Sequence, residues 1–134
     1  MPMKQQHGFT LIELMIVLVV IAILTAIAYP SYTNQVLKMR RGDGIAALNR
    51  VAMVMETCRS DNATYAGCAF PANSEDGYYT IAAAATITAT AYSFIATPAG
   101  VQTRDTKCTS LTLDSLGNRG FTGTAPDADT CWGQ

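Results

Sequence analysis

From Phe9 to Tyr29 the chain carries one charged residue, Glu13, and otherwise little but Leu, Ile, Val, Met and Ala. As a helix rising roughly 1.5 Å per residue, this stretch spans about 30 Å, enough to cross the hydrocarbon core of a membrane. The residues Met1 to Gly8 precede it, with Lys4 as the fixed positive charge. Because a basic residue resists translocation, the N-terminal side is expected to remain cytoplasmic.

Two processing readings compete for this stretch. An ordinary secretory signal peptide would have a short basic start, an apolar middle and Ala26-Ile27-Ala28 as the small-residue cleavage site. The other reading cuts between Gly8 and Phe9 and retains the apolar helix in the mature chain. Glu13 favours the second. A carboxylate inside a hydrophobic segment costs about 2.5–3.5 kcal/mol on insertion scales, so a retained one is expected to have a partner. Cleavage after Gly8 would create an amine on Phe9, close to Glu13 in sequence and able to pair with the Glu13 of a neighbouring chain.

Gly8-Phe9-Thr10-Leu11-Ile12-Glu13, the long apolar helix and Tyr29-Pro30-Ser31-Tyr32 together resemble the N-terminus of type IV pilins. The resemblance covers about the first quarter of the chain. It implies that a prepilin peptidase cuts after Gly8 and methylates Phe9, and that Glu13 is the assembly glutamate. It also implies a bacterial inner-membrane protein with its head in the periplasm. Such a subunit joins other pilin subunits in a surface fibre through an inner-membrane assembly platform. Cys108-Thr-Ser-Leu-Thr-Leu-Asp-x-x-Gly117 and Cys131-Trp132 resemble, less specifically, the head of PilE-like minor pilins. Fibre assembly or initiation, adhesion and twitching motility follow as implied roles, with a major pilin or a type II secretion pseudopilin as alternatives.

The rest of the composition narrows the chemistry. The only histidine among the 134 residues is His7, in the segment expected to be removed. The mature chain would then support neither Ser-His-Asp nor Cys-His catalysis, nor a histidine-ligated metal. No Gly-rich phosphate loop or recognisable nucleophile appears, so no enzyme activity and no cofactor are expected. Four cysteines in a small exported domain read as two disulfides with three possible connectivities. Sequential pairing, Cys58–Cys68 and Cys108–Cys131, closes the shortest loops and is the preferred one. A four-cysteine zinc site lacks the close Cys-x-x-Cys pairs it would need. Calcium at Asp114, Asp127 or Asp129 is the remaining metal alternative, although loop aspartates are more often turn-formers.

Pro30 cannot donate a backbone hydrogen bond and is expected to kink the helix. Beyond it, Val36, Leu37, Ile45, Leu48, Val51, Ala52 and Met55 recur at helical spacing, predicting an amphipathic helix over 34–57. Gly42 and Gly44 count against that helix. Lys38, Arg40, Arg41, Asp43, Asn49 and Arg50 lie largely off the stripe. The cluster Lys38-Met39-Arg40-Arg41 is read as a solvated face, with acidic residues of a neighbouring subunit or nucleic acid as alternative partners; it has no interleaved aromatic residues to favour nucleic acid.

The expected organisation is a leader over 1–8, a membrane and fibre-core helix over 9–33, and a globular head over 34–134. Residues 58–77 read as a loop pinned by Cys58 and Cys68, with Tyr65 and Phe70 turned inward. Strand-like segments are Tyr78 to Ala83, Ile87 to Thr97 and Cys108 to Asp114, with Arg119 to Thr122 returning as an edge strand. The predicted fold is α+β: a long N-terminal helix laid on an antiparallel sheet of three to four strands over 78–122, with a disulfide-closed C-terminal loop over 108–131.

Overall fold

The computed structural model describes residues 8–133, and its longest element is α1, Leu11–Asn62. His7 lies outside the described residues. The chain divides into two units, one ending at Asn34 and one beginning at Gln35. The first is the apolar part of α1. Its 18-residue apolar window has a mean hydropathy of 3.0 and no buried residue.

In the second unit the C-terminal part of α1 buries one stripe. Leu48, Val51 and Met55 are fully enclosed, and Ile45 and Ala52 pack at the margin, as the periodicity predicts. Arg41, Gly44 and Ala47 complete the buried face. The placement of Arg41 off the stripe is therefore corrected, and Gly44 has a steric purpose. A Cβ there would sit 2.9 Å from the Tyr79 ring. Glycine at this point lets the helix approach the sheet closely, a gain that offsets its low helix propensity.

The helix continues past Thr57, its expected end. Asn62 bonds back to the Cys58 carbonyl at 2.9 Å, and Ala63, at φ 58°, turns the chain out in a left-handed conformation. Tyr65 is then buried and Phe70 half-buried against the core, both inward as predicted.

Four strands follow: β1 (Tyr79–Ala83), β2 (Ser93–Pro98), β3 (Ser110–Asp114) and β4 (Arg119–Thr122). They form one antiparallel meander in the order β1-β2-β3-β4. The register sets Phe94 opposite Leu113, and Leu111 between Ala96 and Phe121. Tyr79, Ile81, Phe94, Ala96, Leu111 and Leu113 share one core with the helix stripe. The fold is thus the predicted α+β arrangement of a long helix on a four-stranded sheet.

The middle strand is shorter than expected. Residues 87–92 alternate in sequence but do not pair as a strand. The Thr88 hydroxyl accepts the Ala91 N–H at 3.0 Å, and the Thr88 N–H bonds the Ala91 carbonyl at 2.9 Å. This local turn competes with the ladder, and a run of Ala and Thr offers little apolar surface to oppose it. At the C-terminal end a short helix, α2 (Ala128–Trp132), replaces the expected turn-rich tail, with Asp127 as its N-cap.

Candidate fibre-assembly site

Gly8, Phe9 and Thr10 precede the first residue of α1, exposed and outside regular structure. The helix starts at Leu11 because Thr10 caps it: its hydroxyl accepts the Glu13 N–H at 3.2 Å, and its carbonyl accepts the Leu14 N–H at 3.2 Å. Thr10-x-x-Glu13 is the capping-box spacing, a signal legible in the sequence that the reading by hydropathy passed over. The cap places Glu13 in the first turn, where the helix dipole favours a carboxylate. Gly8 and Phe9 thus lie just ahead of the helical turn that carries Glu13. Among the described residues a Cβ at Gly8 would meet no atom within 4 Å. Nothing in their packing requires glycine there.

Behind this cap the helix displays apolar residues on every side. Phe9 is 86% exposed, and Leu11, Ile16, Ile23 and Ile27 are among the exposed residues that follow. Pro30 lies inside α1 without ending it, and the Thr33 hydroxyl bonds its carbonyl at 3.0 Å. The proline deprives the ladder of one N–H, which is the physical basis of the bend expected there.

At the head, both disulfides have the predicted pairing. Cys58–Cys68 ties the last turns of α1 to the following loop across 10 residues, and Cys108–Cys131 ties the approach to β3 to α2 across 23. Beside the second lies a buried polar cluster that sequence periodicity missed. Arg41 Nε and Nη2 bond the two Asp105 carboxylate oxygens at 2.5 and 2.9 Å, and Nη1 bonds the Thr130 carbonyl at 3.2 Å. Asp105 Oδ1 also accepts the Cys108 N–H at 3.3 Å. Gln102, fully buried, donates to the Leu37 carbonyl and the Tyr79 hydroxyl, each at 3.1 Å. Burial pushes Tyr79 up to about 12.

The basic cluster is thus not one solvated face. Lys38 is exposed, Arg40 lies 4.6 Å from the centre of the Tyr78 ring, and Arg41 is inside. Asp43 accepts the N–H groups of Asp76 and Tyr78 at 3.1 and 3.2 Å and fastens the loop before β1 to the helix.

The loop aspartates serve as turn-formers. Asp114 accepts the Leu116 and Asn118 N–H groups, each at 2.9 Å, and the Asn118 amide at 2.8 Å. The Asn118 side chain, ahead of the backbone donors, holds the Asp114 carboxyl below the ordinary range. Asp127 is lowered by the Thr130 hydroxyl and N–H, which it accepts at 2.6 and 2.8 Å. Among the described residues no three His, Cys, Asp or Glu side chains gather as a metal site.

A capped apolar helix with a first-turn glutamate, continuing into a disulfide-closed helix-on-sheet head, defines a pilin-class subunit. Comparison with known proteins makes this specific. Residues 30–112 match the family described as "Type IV minor pilin ComP, DNA uptake sequence receptor", and residues 3–29 match the prokaryotic N-terminal methylation motif. The chain belongs to this family of type IV pilins.

A "Probable minor fimbrial protein" of Dichelobacter nodosus is 38% identical over 65 residues, which are 48% of this chain and 41% of the relative. The type IV major fimbrial protein FimA of the same organism is 36% identical over 88 residues, 63% of this chain and 56% of its own length. The chain thus spans about half the length of these curated relatives. The non-core minor pilin PilV of Neisseria meningitidis has the same fold, with a TM-score of 0.58 over 70% of this chain and 94% of PilV, at 16% identity. The family is one of structural fibre subunits, anchored by the apolar helix before entering the surface fibre.

Proposed function

We propose that the chain is a minor pilin that helps to start or build a type IV fibre and so supports adhesion and twitching motility. The carrying observation is the wholly exposed apolar helix beginning at the Thr10 cap. It needs lipid before assembly and other pilin helices afterwards. Prepilin peptidase would cut between Gly8 and Phe9, where the backbone is exposed and not yet helical, and methylate Phe9. The new amine would pair with Glu13 of an adjacent subunit as an inner-membrane platform transfers the helix out of lipid. An unpaired carboxylate in that dry bundle is penalised by several kcal/mol. The bend at Pro30 would let the apolar helix adjust within the bundle.

Mass analysis of the mature N-terminus tests the processing, and the expected result is methylated Phe9. Glu13→Gln should be inserted and cut but enter fibres poorly. Wild-type recovery of that variant in sheared fibres would remove the charge from the mechanism. Quantifying the chain in sheared fibres separates a scarce minor subunit from a major one. A start at Tyr29 would turn the whole reading into a secreted soluble protein.

A second reading rests on the matched family's description as a DNA uptake sequence receptor. The cluster over 38–41 is not its natural site, since Arg41 is consumed by Asp105. Arg104, Lys107 and Arg119 are exposed on the head and would supply phosphate contacts. Titration of full-length protein in detergent with duplex DNA over a salt series tests this. Binding that weakens steeply with salt supports it, and no binding at low salt removes it.

A further inference from the structure

Two features of the head have no work to do inside one molecule. The first is Leu116, at the tip of the β3–β4 hairpin and 85% exposed. The tip is rigidly built: Asp114 holds the Leu116 and Asn118 N–H groups, and Gly117 takes the left-handed conformation at φ 82°. A large apolar side chain is therefore presented to solvent on a fixed turn, beside a carboxylate. The second is a cleft of about 260 Å³ between α1 and α2. Met39 and Ile45 from α1 and Trp132 from α2 make it apolar, and Lys38 lines it as well. Gly42 lines it too, and a Cβ there would enter open space, with nothing within 4 Å.

The two are separate surfaces, although Trp132 touches the hairpin strand β4, its indole N–H bonding the Gly120 carbonyl at 3.0 Å. The cleft is at the Arg41 end of α1. The hairpin tip is tied through Ser115 to the Tyr92 carbonyl at 3.0 Å, and the Tyr92 hydroxyl reaches Glu56 at 3.4 Å. Glu56 is roughly 22 Å from Arg41 along the helix at 1.5 Å per residue. Leu116, left exposed, does not occupy the cleft of its own chain. Their chemistry is complementary: an apolar tip with the negative Asp114 matches an apolar cleft with the positive Lys38. Among the described residues Lys38 forms no ion pair, whereas the charge of Arg41 is taken by Asp105. A knob and a hole on different surfaces of one molecule make a heterologous contact, which repeats without closing and generates a helical filament.

We infer that copies of this chain dock head to tail in the fibre, Leu116 of one entering the cleft lined by Met39, Gly42, Ile45 and Trp132 of the next, with Asp114 facing Lys38. The inference rests on the fibre-subunit reading and adds to it a head interface and a neighbour. A subunit built this way enters the fibre as adjacent copies, whatever its abundance.

The test uses two differently tagged full-length copies in one strain, one Leu116→Cys and the other Gly42→Cys. All native cysteines are in disulfides, so the new thiols are the reactive ones. A short bis-maleimide applied to sheared fibres should give a mixed-tag dimer only when both variants are present. Gly42→Met, which fills the cleft with a good helix former, should lower the amount in fibres about tenfold, the loss of one buried anchor, while the membrane-extracted monomer melts no lower than wild type. Both tagged copies in fibres with reactive thiols but no mixed dimer would overturn the contact. So would Gly42→Met at wild-type level in fibres, or Leu116→Cys cross-linking only to a different protein. Chains that stay in the membrane and never enter fibres would instead overturn the fibre reading, and this contact with it.

Discussion

The two units of this chain solve the same problem in opposite ways. The unit ending at Asn34 buries none of its apolar window, and the unit from Gln35 closes a core of Leu48, Val51, Met55, Tyr79, Phe94 and Leu111 at 0–1% exposure. Hydrophobic surface left on a helix has to be covered by something, and in the first unit that cover must come from lipid or from other chains. The head supplies its own cover, so its stability should be a property of the single chain. The difference assigns two kinds of residue to two kinds of experiment: changes in the head alter melting, and changes near the Thr10 cap alter where the protein resides.

The strongest challenge to this division is at Arg41. Arg41→Ala leaves Asp105 charged, buried and unpaired, and should destabilise the head by about 3–5 kcal/mol in denaturant unfolding of detergent-held protein. Insertion and processing of the apolar helix should be unchanged, and a defect in either would break the comparison. The double change Arg41→Met with Asp105→Leu should recover most of the stability, because it removes both charges together.

Removing the C-terminal staple comes next. Cys108→Ala with Cys131→Ala opens a loop whose ends are 23 residues apart, for an expected loss of about 2–4 kcal/mol. The Thr130 carbonyl and the Cys108 N–H both belong to the Arg41–Asp105 cluster. The staple and the ion pair should therefore couple in a double-mutant cycle, and simple additivity would show that the cluster does not depend on the staple.

A smaller and sharper contrast lies within one helical turn. Gly44→Ala drives a methyl group into the Tyr79 ring and should cost about 1–3 kcal/mol of overpacking, less the helix propensity regained. Gly42→Ala meets nothing and should stabilise the helix by up to about 1 kcal/mol. Equal melting temperatures for the two variants would mean that α1 and β1 are not in the close contact described.

The smallest effect is at alkaline pH. Burial pushes Tyr79 and Tyr92 up to about 12 from the ordinary 10.0. Below pH 10 both residues are protonated, folded or unfolded, and their contribution is fully present. Between about pH 10 and 12 the unfolded chain releases protons that the folded head retains, so head stability should fall as pH rises through this window. Spectroscopic titration of tyrosinate should find these two residues ionising late, and ionisation near 10 for all tyrosines would contradict their burial.

What the sequence by itself determined is local or periodic. A long apolar run sets a helix that cannot remain in water, and Gly8-Phe9 with Glu13 prompts the proposed processing and assembly end. The spacing of Leu48, Val51 and Met55 sets the buried stripe, and short loops between cysteines favour the pairing found. The Thr10-x-x-Glu13 cap was equally legible, since capping depends on residues three apart. What only the tertiary structure decided depends on partners distant in sequence. Arg41 reads as a surface cation until Asp105, 64 residues later, lies against it. Gly44 reads as a weak helix residue until the Tyr79 ring occupies its Cβ space. Residues 87–92 alternate like a strand, yet Thr88 closes a local turn, because periodicity records which faces a segment could show and not whether another strand comes to pair with it. The cleft beneath Trp132 exists only once α2 and α1 are brought together, and the free energy that does so is spread over the whole core, where no short stretch of sequence displays it.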